Sequence, residues 1–159
     1  MIKIFFKIIR YPFRFFTKLK FFKERSIRNK FSIIYKNNYW DNEESFSGPG
    51  STLENTKNLR NTLHKVIKKY KIKSILDAPC GDCNWIQLVI KKNNVKYIGI
   101  DIVKECILKN KSRFKSKKFN FKELDITRDQ LPKSDLFICR DFMFHLSFED
   151  NKRFLKNIK

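Results

Sequence analysis

From Lys73 onward, short apolar runs alternate with stretches whose apolar residues recur at helical spacing. "SILDA" (74–78) is a continuous apolar run that predicts a buried strand, and "NWIQLVIKK" (84–92) predicts a helix. "VKYIGIDI" (95–102) predicts a second strand and "KECILKNKSRF" (104–114) a second helix. "FNFKELDI" (119–126) and "SDLFICRD" (134–141) predict a third and a fourth strand. Ser147 then caps a final helix, "FEDNKRFLKNIK", with Asp150 as its capping-box partner. Strand–helix alternation of this kind predicts an α/β domain: a parallel sheet with helices on both faces.

Upstream, "SGPGS" (47–51) reads as a loop from its Gly and Pro content. Ser51, with Glu54 three residues later, predicts a capped helix in which Leu59, Leu63, Val66, Ile67 and Tyr70 form the apolar stripe. His64 lies on that helix without an evident partner, and the helix's outer face is rich in Lys. The first thirty residues interleave aromatic and basic side chains around a single acid, Glu24. No uncharged stretch there has the length of a bilayer span, and there is neither the apolar centre nor the cleavage site of a secretory signal. An interfacial membrane helix split at Pro12, a solvated extension and a nucleic-acid contact all fit this segment. The chain thus divides into a basic, helical N-terminal extension (1–30) and a domain (31–159).

A chain of 159 residues holds one domain with a core. A net charge of +20 favours anionic partners, although drift towards Lys, Asn, Ile and Phe along the whole sequence is a rival explanation. Cys80, Cys83, Cys106 and Cys139 do not form a disulfide framework and suggest a reducing compartment. Only Cys80 and Cys83 are closely spaced, which disfavours a structural zinc site, and no metal is expected.

Asp77, Asp101 and Asp125 end three consecutive predicted strands. Ligands of open parallel sheets bind beyond the carboxyl ends of the strands, so the three carboxylates are expected to border one cleft. Asp101 is placed to accept hydrogen bonds from ribose hydroxyls. A dinucleotide fits poorly: the first turn has only Gly81, Pro79 removes an amide donor, and Asp77 and Asp82 repel a pyrophosphate. S-adenosylmethionine, a cationic nucleoside without phosphate, fits better. Asp77 would attract its ammonium, amides after Gly81 its carboxylate, Asp101 its ribose and Asp125 its adenine amino group. A Cys80–Cys83 redox dithiol leaves Asp101 and Asp125 unexplained, and Asp82 between the thiols opposes thiolate formation. Packing is the better role for these cysteines.

"SILDAPCGDCNW", "YIGIDIV", "FKELDIT" and "LPKSDLFICRDFMFHLS" together resemble the successive motifs of the class I S-adenosylmethionine-dependent methyltransferases, over roughly Tyr39 to the end. "YW", "SGPGS" and "LDAPCGD" resemble a bacterial subgroup of methyltransferase-domain proteins. The resemblance implies a Rossmann-like fold with the first four strands in the order 3-2-1-4, and S-adenosylmethionine as cofactor. It implies a cofactor loop of Asp77, Ala78, Pro79, Cys80, Gly81 and Asp82, with Asp101 and Ile102 flanking ribose and adenine, and Asp125 and Ile126 at the base. Pro79 and Cys83 replace the first and third glycines of the usual loop. Asp141 and His145, four apart, would share one face of a helical turn. His145 or Asp141 is the expected acceptor-side base, and Arg140 an orienting or anion-binding group.

Class I domains usually have seven strands, so a C-terminally truncated domain is expected, with an exposed fourth-strand edge open to a partner or to self-association. The function expected is methyl transfer to a hydroxyl, amine or carboxylate acceptor. A non-catalytic cofactor-binding remnant and a basic membrane-surface or nucleic-acid-binding module are the alternatives. The expected location is cytoplasmic, peripheral to the inner membrane face if residues 1–30 engage anionic lipid.

Overall fold

The computed structural model describes residues 26–158; the readings made for residues 1–25, the interfacial helix and its break at Pro12 included, lie outside the described residues. Four parallel strands form one sheet in the order β3-β2-β1-β4: β1 (Ser74–Asp77), β2 (Lys96–Asp101), β3 (Phe119–Glu123) and β4 (Leu136–Ile138). The helices are α1 (Ile27–Lys36), α2 (Lys57–Lys69), α3 (Ile86–Lys92), α4 (Lys104–Arg113) and α5 (Phe148–Asn157). Both the parallel arrangement and the order agree with the sequence reading.

Alternation along the strands feeds two cores. Ile75 and Tyr97 point to one face, where Leu63 and Ile67 of α2, Ile86, Val89 and Ile90 of α3, and Ile107 of α4 cover them. Leu76 and Ile100 point to the other face, against Phe142 in the segment after β4 and Phe154 of α5. Because β1 and β2 are covered on both sides, they are nearly continuous in apolar residues.

Helix ends follow side-chain chemistry, with one correction. Ser147 caps α5 as expected: its Oγ accepts from the Asp150 amide (3.1 Å) and donates to the Asp150 carboxylate (2.6 Å). Ser51 does not cap α2. Pro49–Ser51 form a 3-10 turn, Ser51 is buried with its carbonyl accepting from Asn84 Nδ2 (3.0 Å), and α2 begins at Lys57 after Thr56. Glu54 boxes nothing there; Glu44 instead accepts from the Leu53 amide (2.6 Å). Tyr70, expected in the stripe of α2, is exposed, whereas Leu63 and Ile67 are buried. His64 does find a partner, Asn93, with Nδ1 and Nδ2 2.7 Å apart.

The division at residue 30 falls inside α1, which Ser26 caps and which packs through Ile27, Phe31 and Tyr35 on Ile102, Val103 and Cys106. Arg28 fastens α1 to the sheet end, donating to the Ile102 carbonyl (2.9 Å) and pairing with Glu123. Among the described residues no helix is long and apolar enough to cross a membrane.

Candidate active site

A cleft enclosing about 850 Å³, part of it open to solvent, lies at the carboxyl ends of β1 and β2. Its floor holds Asp77, Pro79, Cys80, Gly81, Asp101 and Ile102, and its far wall Arg140, Asp141 and His145. Most residues predicted for the site therefore meet, and α1 with the loop after it closes the remaining side.

Asp77 ends β1 and is almost fully buried. Its Oδ2 accepts from the Tyr97 hydroxyl (2.8 Å), while Oδ1 takes no hydrogen bond among the described residues. Burial pushes its carboxyl up to about 7; nearby Asp101 acts in the same direction, and the Tyr97 hydroxyl and the Arg140 charge oppose it. Asp101 is also buried, and that burial raises its carboxyl against the lowering effect of the Val103, Gly81 and Ile102 amides. Gly81 N–H donates to Oδ2 (3.0 Å) and Val103 N–H to Oδ1 (2.9 Å). A carboxylate has about four acceptor sites, so Asp101 retains acceptor capacity.

Four expected cofactor contacts, Ala78, Asp82, Asp125 and Ile126, are placed differently. Asp82 is consumed by structure: its carboxylate accepts from the Ser45 and Ser47 hydroxyls and from the Phe46 amide (2.8 Å). Ala78 is sealed in the core, its amide donating to the Ile138 carbonyl (2.9 Å). Asp125 does not join Asp77 and Asp101 in the cleft. β3 stops at Glu123, and Asp125 turns to accept from Thr127 N–H (2.9 Å) and Oγ1–H (2.7 Å). Asp125 and Ile126 line a smaller neighbouring pocket that shares Pro79, Ile102 and Phe142 with the cleft. The expected trio of acids is a pair.

Gly81 owes its identity to its neighbour as well as to its backbone. Its φ is +52°, and a Cβ there would lie 2.0 Å from Ser47 Oγ. Cys83, in place of a family glycine, also adopts positive φ (+55°) and is buried with its sulfur 3.2 Å from the Tyr97 hydroxyl. Cys80 and Cys106 are likewise buried, and burial raises both thiols, which suits packing rather than a reactive thiolate. Burial raises the half-covered Cys139 thiol to about 11.

Asp141 and His145 share the cleft but not a helical face. Asp141 has φ +51°, and only Met143–His145 form a 3-10 turn, so the i,i+4 relation expected of an α-helix does not arise. Arg140 is held by the Gly50 carbonyl (2.8 Å) and by Asp141 (2.9 Å). His145 packs against Trp40 in a tilted arrangement, 5.0 Å between ring centroids, and meets Phe31 edge-on at 6.4 Å. Partial burial lowers the pKa of His145, with Asp141 pulling the other way.

Sequence reasoning missed the aromatic wall of Phe31, Tyr35, Trp40 and Phe46. The i,i+4 spacing of Phe31 and Tyr35 was a usable signal. It also missed Tyr97, which sets Asp77, and buried Asn110, whose amide donates to the Gly81 carbonyl (2.7 Å).

A parallel sheet of this order, with acids at the ends of its first two strands, is the Rossmann-like architecture of the class I methyltransferases. The family model described as a methyltransferase domain matches residues 75–159, more than half of the chain, and the chain belongs to that family. Similar solved structures include the methyltransferase domain of bacterial CtHen1-C, at 20% identity and TM-score 0.56, covering 64% of this chain and 57% of that one. An S-adenosylmethionine-dependent methyltransferase from Clostridium acetobutylicum ATCC 824 is similar at 19% identity and TM-score 0.54, covering 84% of this chain and 52% of that one. Magnesium protoporphyrin IX methyltransferase from Synechocystis PCC 6803, solved with bound SAM, is similar at 13% identity and TM-score 0.51, covering 96% and 69%. These likenesses concern the fold, and this chain spans less than two thirds of the first two of those structures. No curated protein matches.

Proposed function

We propose that the cleft binds S-adenosylmethionine and that the domain directs methyl transfer to a hydroxyl, amine or carboxylate acceptor. One observation carries the reading: two buried carboxylates, Asp77 and Asp101, open onto a single cleft at the strand ends of a methyltransferase-family domain. The residues fit the cofactor, because Asp77 keeps one oxygen free at the cleft while Tyr97 holds the other. The Ser47 hydroxyl, donating to Asp82, joins "SGPGS" to "LDAPCGD", and this supports grouping the chain with the bacterial subgroup those motifs resemble.

When bound, the cofactor supplies an electrophilic methyl group on a sulfonium. Asp77 would attract the ammonium group, Asp101 would accept from the ribose hydroxyls, and Ile102, which lines both the cleft and the neighbouring pocket, would flank the adenine. The wall of Trp40, Phe46 and Phe31 excludes water from the acceptor side. His145 takes the acceptor proton: its lowered pKa keeps the imidazole neutral at pH 7, and among the described residues no hydrogen bond occupies its ring. Arg140 and Asp141 fix the loop that carries His145 against Gly50.

Calorimetric titration with S-adenosylmethionine tests the binding half. Asp77→Asn and Asp101→Asn should each weaken binding at least about tenfold, the scale of one charge-assisted hydrogen bond. Unchanged affinity in both variants would remove the reading. For the transfer half, His145→Gln should keep affinity and lose turnover; full turnover in that variant eliminates His145 as the base.

A further inference from the structure

We propose that the edge of the sheet opposite the cleft is a docking face for an anionic lipid bilayer. The inference is independent of the methyl-transfer reading. It begins with where the acids are missing: the sequence has none between Glu54 and Asp77, between Asp82 and Asp101, or between Glu105 and Glu123. Each interval covers most of a helix, the turn after it and the start of the next strand. Helices that connect parallel strands run back against them, so helix C-termini and strand starts share the edge away from the cleft.

Cations fill that edge. Lys68 and Lys69 end α2, Lys91 and Lys92 end α3, and Lys111 and Arg113 end α4, all of them exposed. Lys73 and Lys96 add exposed charges at the starts of β1 and β2. Among the described residues none of these side chains is ion-paired with a carboxylate. Asp135, before β4, is the acid at this edge, and its carboxylate is committed to the Lys73 and Ser74 amides (2.8 Å each). Among the described residues, Asp77, Asp82, Asp101 and Glu123 lie at the opposite edge. Helix dipoles favour a cation in a last turn, but they do not empty the following turns and strand starts of acids.

The kind of charge selects the partner. Ordered phosphodiesters are received by backbone N–H groups at helix N-termini and by forked guanidinium groups. Among the described residues, this edge offers helix carbonyl ends and a single Arg among lysines, and no helix or strand ribbon that could enter a groove. Flexible ammonium groups spread over separate elements suit a fluid array of anionic headgroups.

The test is co-sedimentation of the full chain with phosphatidylcholine vesicles containing or lacking phosphatidylglycerol. The chain should bind the anionic vesicles alone, less strongly as salt rises. The quadruple variant K68Q/K69Q/K91Q/K92Q should lose at least about tenfold in partitioning. A control of equal charge change, K57Q/K104Q/K122Q/K152Q, should stay near the wild-type value. Equal losses in both variants, or no loss in the first, would overturn the proposal. So would tighter binding to duplex DNA at the same salt that depends on the same four lysines.

Discussion

Asp77 is where burial and ligand binding pull against each other. Its folded carboxyl titrates near 7, far above the ordinary 3.8, so the stability it contributes is present below the ordinary carboxylate range and is lost as pH rises through about 7. A cationic ligand group favours the ionised form. Binding of S-adenosylmethionine should therefore release a proton near neutrality and tighten between about pH 6 and about pH 8. Calorimetry in two buffers of different ionisation enthalpy reads that proton directly, and Asp77→Asn should abolish it; a pH-independent affinity would show that Asp77 does not meet the cation. Gly81 makes a second residue-scale case. Gly81→Ala combines a left-handed φ with a collision against Ser47 Oγ, so it should lower the unfolding free energy by at least about 1 kcal/mol and weaken cofactor binding. Ala at Gly81 with wild-type stability in urea would mean that the loop can move away at no cost.

Single side chains also decide how the elements meet. Asp82 ties the segment before "SGPGS" to the turn after β1 through three neighbouring donors. Asp82→Ala leaves the buried Ser45 hydroxyl and the Phe46 amide without their acceptor. The cost should be about 2 kcal/mol or more in urea unfolding, with faster hydrogen exchange confined at first to residues 45–47. A uniform rise in exchange would show instead that the clamp stabilises the whole domain. Ser147 is a milder case. Replacing it by Ala removes the N-cap of α5 and should cost about 1 kcal/mol. The two serines differ in legibility for a physical reason: Ser147 bonds within its own first turn, a relation visible in sequence, whereas Ser45 bonds across 37 residues.

At the scale of the molecule, the sheet was legible because β1 and β2 are buried on both faces and must be apolar throughout, and because the strand-to-helix turns carry acids. Asp77, Asp101, Gly81, Arg140 and His145 reached the cleft for that reason. Asp125 was misplaced because β3 ends at Glu123, two residues before the acid, and a local Thr127 donor turns it away. The aromatic wall was missed because α1 docks through contacts made only once the sheet exists. Charge is the property sequence totals describe least well: +20 says nothing about where the cations lie. Their concentration on one edge has a consequence for stability separate from any lipid. Like charges there repel over distances that salt screens, the Debye length falling from about 10 Å at 0.1 M to about 3 Å at 1 M. The unfolding temperature should therefore rise with added sodium chloride. The slope should be visibly shallower in K68Q/K69Q/K91Q/K92Q than in K57Q/K104Q/K122Q/K152Q. The slope is the readout, because each edge lysine also complements a helix C-terminus and its loss shifts the midpoint by itself. Identical slopes in the two variants would mean that the repulsion is spread over the surface and that the edge is not its focus.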